Sequence, residues 1–213
     1  MSDTVINFDS KHTPHIGHLG ITGSGKTVFA KGFTLRHFGR RIVIDPEQEE
    51  FIDPPYVKAT SKQALKAASK PGYFALRIPW SVKGEQTDDE LEQFLRGLLK
   101  IRDPAVAIYF DELSMFVGPN QIGRYLKAVM VQGRHHRINV VWSTQRPQLI
   151  NRTIWTQTNH LFSFFIDEYD ITGPGRGYMK FYANDARWPA MGTYRSLYRA
   201  PDRTVWRLER LEA

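Results

Sequence analysis

The eight residues Gly20-Ile21-Thr22-Gly23-Ser24-Gly25-Lys26-Thr27 constrain this chain more than any other stretch. An apolar run at 15–21 leads into them and a helix-period run at 26–38 leads out. The closely spaced glycines let the backbone curl so that successive N–H groups point at one spot. A strand that enters such a curl and leaves it as a helix is a building unit of parallel α/β sheets.

The rest of the chain keeps the same alternation. Apolar runs at 41–45, 56–60, 73–78, 105–111, 138–144 and 161–166 predict further strands. Several are near-continuous in Val, Ile, Leu and Phe, as strands covered on both faces should be. Helix-period stretches fall between them. The first, 26–38, is expected to stop at Gly39 in a left-handed cap. A second begins at a Thr87-x-x-Glu90 capping box and lines up Leu91, Phe94, Leu95, Leu98 and Leu99. A third, 121–134, does the same with Ile122, Leu126, Val129 and Met130. Beyond about residue 178 polar and apolar residues alternate around Ala200-Pro201-Asp202, which reads as a β-hairpin appended to the sheet. The expected organisation is one domain over 1–213, with a core at 15–166 and a β extension at 178–213.

With 41% hydrophobic residues, the 213-residue chain can bury a substantial core. No apolar run approaches the ~20 residues that span a bilayer. The first fifteen residues lack a basic-then-apolar leader pattern. There is no cysteine, hence no disulfide and no thiolate metal site. These features predict a soluble intracellular protein, and the net charge of +7 points toward a polyanionic partner. His12, His15 and His18 hint at a metal cluster, but odd spacing on a strand puts His15 and His18 on opposite faces.

Gly20-x4-Gly25-Lys26-Thr27 is a complete Walker A pattern. In that chemistry the loop amides hold the β-phosphate, Lys26 reaches the β- and γ-phosphates, and the Thr27 hydroxyl ligates Mg²⁺. The run "AVAIYFDEL" ends a second strand in Asp111-Glu112. Asp111 is placed to hold the Mg²⁺ shell and Glu112 to act as base toward the attacking water. Position 114 is Ser114, where a small GTPase carries glycine, and an Asn-Lys-x-Asp guanine-reading motif is absent. ATP is therefore favoured over GTP. The run "VVWSTQRP" ends a third strand at the same edge, placing the Gln145 amide to touch the γ-phosphate or the water. The fold expected is a RecA-like (ASCE) phosphate-loop α/β NTPase with a mainly parallel central sheet.

"GITGSGKT", "IYFDEL" and "GRHHRINVVWSTQRP" together resemble the HerA/FtsK superfamily of DNA-pumping ATPases, and "RIVIDPEQE" resembles its strand-Asp-Pro segment. The likeness runs over about 15–166. In its bareness the chain is most similar to the genome-packaging ATPases of membrane-containing, double-jelly-roll viruses. That resemblance implies an ATP-driven motor on double-stranded DNA, loading a viral genome into a preformed capsid. It also implies a homo-oligomeric ring, hexameric by resemblance, a capsid-vertex partner, and action in the host cytoplasm or on the virion. Such rings supply an arginine in trans to the γ-phosphate; among Arg134, Arg137, Arg146 and Arg152, Arg134 best matches the superfamily position. "GPGRG" at 173–177 is a DNA contact or a plain surface turn. Competing readings are a plasmid or cellular DNA-transfer ATPase, a nucleotide or metabolite kinase, and a non-catalytic ATP-binding assembly factor.

Overall fold

A computed structural model describes residues 14–46, 51–80, 85–166, 196–201 and 204–208. They form one nine-stranded sheet with the strands β1 (His15–Leu19), β2 (Arg40–Asp45), β3 (Val57–Lys58), β4 (Phe74–Pro79), β5 (Val106–Phe110), β6 (Ile138–Thr144), β7 (Thr158–Ser163), β8 (Ser196–Arg199) and β9 (Val205–Leu208). The order across the sheet is β3-β4-β2-β5-β6-β1-β7-β8-β9. From β3 to β7 every pairing is parallel, and β7-β8 and β8-β9 are antiparallel. The glycine loop follows β1 and the acidic pair follows β5, with β6 intervening between those two strands.

Two layers of helix cover the sheet. On one face α2 (Ser61–Ala68), α3 (Glu85–Leu99), α4 (Arg124–Gln132) and α5 (Arg152–Gln157) lie side by side over Ile108, Phe110, Val140 and Trp142. On the other, α1 (Lys26–Gly32) and a 3-10 turn at Thr34–His37 cover Ile16, Val43, Tyr109 and Val141. The central strands are buried from end to end, which is why they read as continuous apolar runs. Trp142 fills the space over Gly17, where a Cβ would strike its indole.

Several elements depart from the sequence pattern for local reasons. The first helix ends at Gly32, and the 3-10 turn turns the Thr34 hydroxyl inward to meet His18 Nε2 at 2.9 Å. Gly39 is not a left-handed cap; its missing side chain makes room for the Tyr73 ring. α3 begins at Glu85, ahead of Thr87, so the Thr87 box does not start it, and Glu90 instead accepts from Ser61 Oγ at 2.9 Å. A capping box is formed instead by Thr60 with Gln63, opening α2. α4 starts late because Glu92 of α3 caps it, accepting from Tyr125 N and Leu126 N at 2.7 and 3.1 Å. β7 begins at Thr158, paired with His15, rather than at Leu161. The C-terminal hairpin is present as β8-β9, closed by Ala200 N to Thr204 O at 3.0 Å. His12, Asp202 and the run 173–177 lie outside the described residues.

Candidate nucleotide site at the carboxyl edge of the sheet

Because β1, β5 and β6 are parallel neighbours, their carboxyl ends meet at one edge. After Leu19 the loop turns through Gly23 at φ 75° and Gly25 at φ 95°, angles that favour glycine. Its base is pinned from both sides: Gly20 N donates to Thr144 O at 3.2 Å and Ile21 N to Phe165 O at 2.9 Å. Lys26 is buried at the start of α1, and its Nζ donates to Ile21 O at 3.1 Å, which holds the ammonium in the mouth of the loop.

Asp111 and Glu112 leave β5 toward opposite faces. Asp111 turns to the α1 side, where its Oδ1 accepts from Thr27 Oγ1 at 3.3 Å and from the Tyr109 hydroxyl at 2.8 Å. Tyr109 also bonds Ser143 Oγ. Burial first, and then the Asp111 charge, push the Tyr109 hydroxyl well above its ordinary range, so it stays protonated and a donor. Glu112 is held by the end of β6: Oε1 accepts from Thr144 Oγ1 at 2.7 Å and from Ser114 Oγ, and Oε2 from Gln145 N at 2.9 Å. The Gln145 side chain reaches the other way, its Oε1 accepting from Thr22 Oγ1 in the glycine loop at 2.6 Å. Gln145 therefore ties the loop to Glu112 through one residue.

Thr27, Asp111, Glu112 and Gln145 are thus brought together with the loop. Tyr109, Ser114, Ser143 and Thr144 join them, and sequence reasoning had given these four no role. A signal existed. Tyr109 stands two residues before Asp111 and so shares its face, and Phe110 pairs with Trp142, which carries Asp111 level with Ser143 and Glu112 level with Thr144. Two neighbouring strands turning polar at one height predict a shared network.

The arginines divide between the two edges. Arg134 sits in the 3-10 turn Gly133–His136 that feeds the start of β6. The seven residues of β6 put it ~20 Å from its own loop. Arg137 is at that same far edge, paired with Asp103 at 2.9 Å. Arg146 and Arg152 are exposed near the loop edge. His15 and His18 do lie on opposite faces, bonded to Met130 O and Thr34 Oγ1 respectively.

The donor set fits Mg-nucleotide chemistry. Thr27 and Asp111 offer hard oxygens at one point, as Mg²⁺ prefers. Ser24 Oγ is buried within the loop with no hydrogen-bond partner of its own.

A glycine loop between strand and helix, an acidic strand end one strand removed, and a mainly parallel sheet define a RecA-like phosphate-loop NTPase fold. No family model matches the chain. It is similar to Protein P9 of Pseudoalteromonas phage PM2, at 27% identity over 153 residues, covering 70% of this chain and 68% of that protein. In structure it is similar to the genome packaging NTPase B204 from Sulfolobus turreted icosahedral virus 2 in complex with AMP, with TM-score 0.70 and 15% identity over 93% of this chain and 98% of that one. It is also similar to VirB4 of Thermoanaerobacter pseudethanolicus, with TM-score 0.65 and 11% identity over 93% and 89% of the two chains. The resemblance carried by the motifs is matched by the fold. No helix among the described residues is long and apolar enough to cross a membrane.

Proposed function

We propose that this chain is an ATPase that drives double-stranded DNA, packaging a viral genome into a preformed capsid in the host cell, with the whole chain working as one motor domain. The observation that carries the reading is the tie from the glycine loop through Gln145 to Glu112. A motor must couple what sits in its phosphate loop to the group that activates water, and one residue here bonds both. Gly20 to Thr27 hold the triphosphate, with Lys26 countering its charge. Thr27 and Asp111 would hold Mg²⁺, and the ion would supply charge neutralisation at the phosphates. Glu112 takes the water proton. Tyr109 and Ser143 keep Asp111 aimed.

Arg134, remote from its own loop, serves a neighbour's γ-phosphate in a homo-oligomeric ring, six-fold by resemblance and seated on a capsid-vertex protein. The similarity to Protein P9 of a phage and to B204 of a virus supports packaging over plasmid or cellular transfer. A kinase would need an acceptor pocket beside the γ-phosphate; here Thr144 Oγ1 and Gln145 N are instead committed to Glu112.

The test is ATP turnover with and without duplex DNA. DNA-stimulated turnover supports the motor, acceptor-dependent ADP release a kinase, and no turnover an ATP-binding factor. Mixing Arg134→Ala with Lys26→Ala chains then tests the ring. Partial return of activity is expected, since some interfaces pair an intact loop with an intact arginine. No return at any ratio, from variants that still assemble, rules out Arg134 in trans.

A further inference from the structure

The positive charge of this chain is concentrated. Residues 113–166 hold six of its 29 Lys and Arg and none of its 22 Asp and Glu, leaving 23 basic against 22 acidic residues elsewhere. One quarter of the chain therefore accounts for nearly the whole excess. That quarter folds as α4, β6, α5 and β7 with their joining turns. β6 is wholly buried and β7 nearly so, which forces the charge onto the two helices and the turns.

On α4, Leu126, Val129 and Met130 face the sheet while Arg124 and Lys127 are exposed, three residues apart on the outer face. Arg152 is exposed at the start of α5. α4 and α5 pack together, and Asn151 Nδ2 donates to Pro119 O at 3.2 Å, holding the start of α5 against the loop that leads into α4. Both helices begin at the phosphate-loop edge, so these cations gather at one end of the layer. The Arg124 guanidinium lies over the Tyr125 ring, 5.6 Å from its centre. The acid that does approach, Glu92, is taken up by the α4 amides. Among the described residues no carboxylate pairs with Arg124, Lys127 or Arg152. Arg77 and Arg137, by contrast, each have an aspartate.

Ordinary surfaces intersperse both signs. A face carrying unpaired cations and no acid is complementary to a polyanion of dense, regular charge. Duplex DNA carries one negative charge per ~1.7 Å of its axis. We propose that the outer face of α4 and α5, through Arg124, Lys127 and Arg152, is the surface that grips the phosphate backbone of double-stranded DNA. This rests on the reading of the chain as a DNA motor and adds where the duplex is held. The grip is sequence-independent, because cations on phosphates position a duplex without reading its bases.

The experiment measures affinity of the full-length protein for a short duplex of fixed sequence across a salt series, in wild type, Arg124→Gln/Lys127→Gln, and Lys62→Gln/Lys66→Gln on the outer face of α2. Losing two phosphate contacts should flatten the log-affinity against log-salt slope by about 1.8 in the α4 pair. Basal ATP turnover without DNA should be unchanged, which also shows that the pair is folded. The α2 pair should keep the wild-type slope. Wild-type binding with an unaltered slope in the α4 pair overturns the surface and leaves the motor reading standing. An equal loss in the α2 pair overturns it too, as general electrostatics. If the α4 pair keeps its slope but loses self-association by light scattering, the face belongs to a second copy of the chain and the proposal fails. No duplex binding by wild type at any salt removes the motor reading itself.

Discussion

β6 has a polar stretch at each end, and the two stretches meet opposite environments. At its carboxyl end Ser143 and Thr144 are fully buried, and each bonds a neighbour of the acidic pair or the pair itself. At its amino end Arg134, His135 and Arg137 are exposed, and the ion pair of Arg137 with Asp103 stands in solvent on both sides. Buried polar groups must find partners, so the carboxyl end is fixed in geometry and suited to chemistry. Exposed cations are free to meet something outside the chain. The same strand thus ends in a fixed polar network at one edge and in exposed basic side chains at the other.

The largest expected effect breaks the buried end. Glu112→Gln should keep ATP binding and lose turnover by about 10²–10⁴-fold, the usual contribution of a general base. Lys26→Ala should fall at least as far while keeping the fold, because Lys26 serves the loop rather than the core. Single-turnover rates beside nucleotide affinity check both. Normal turnover in a folded Glu112→Gln would make the hydrogen bonds on Glu112 a structural device and send the search for a base elsewhere.

Acid should loosen the strand that joins the two ends. His15 Nδ1 accepts from Val140 N at 3.0 Å in the middle of β6, and Nε2 meets Met130 O at 2.9 Å, so the ring is neutral and bridges β6 to α4. Burial lowers its pKa from 6.5 to about 4, and that of His18 to about 3. Between 6.5 and those values the unfolded chain binds protons that the native chain does not. Stability is therefore intact above pH 6.5 and falls as pH drops toward 4, by roughly 3 kcal/mol for His15 alone. Denaturant midpoints at pH 7 and pH 5 should show the decline, and His15→Gln should flatten it. Equal midpoints would mean that neither ring resists protonation.

A smaller effect sharpens the comparison at the carboxyl end. Thr144→Val removes one of the donors on Glu112 while preserving shape and burial. Turnover should drop about tenfold, or ~1.4 kcal/mol, with ATP affinity unchanged, and Thr144→Ser should restore it. An equal loss in the serine variant would assign Thr144 to packing instead.

The legible parts of the molecule were those set by local pattern. Residues 138–144 are β6 as read, and the Gly20–Thr27 loop sits between strand and helix as its glycines required. What escaped was decided by distant partners. Helix period continues past Gly32, yet the helix stops there and Thr34 turns to a histidine in β1. Nothing within 121–124 announces that a glutamate of another helix caps α4. At the site, Thr144 looked like a plain strand end because its partner lies thirty-two residues away, just past the end of the neighbouring strand. Parallel pairing brings such residues level, and the sequence shows that only once the order of strands is known.

The smallest effect lies at the amino end and tests whether the proposed trans arginine is Arg134 or Arg137. Arg137 and Asp103 are 60% and 51% exposed, so water screens their attraction, and such pairs contribute only about 0.2–1 kcal/mol. Arg137 also sits at φ 54° and ψ 40°, a left-handed conformation that costs a non-glycine residue roughly 1 kcal/mol. Arg137→Gly loses the pair and relieves that cost, so the two changes oppose each other. Its denaturation midpoint should stay within about 0.5 kcal/mol of wild type, and ATP turnover of the assembled protein should not change. Arg134→Ala in the same assay should abolish turnover. The reverse pattern, with Arg137→Gly silent in stability yet inactive and Arg134→Ala active, would transfer the trans arginine to Arg137 and make its ion pair with Asp103 a resting position rather than a brace.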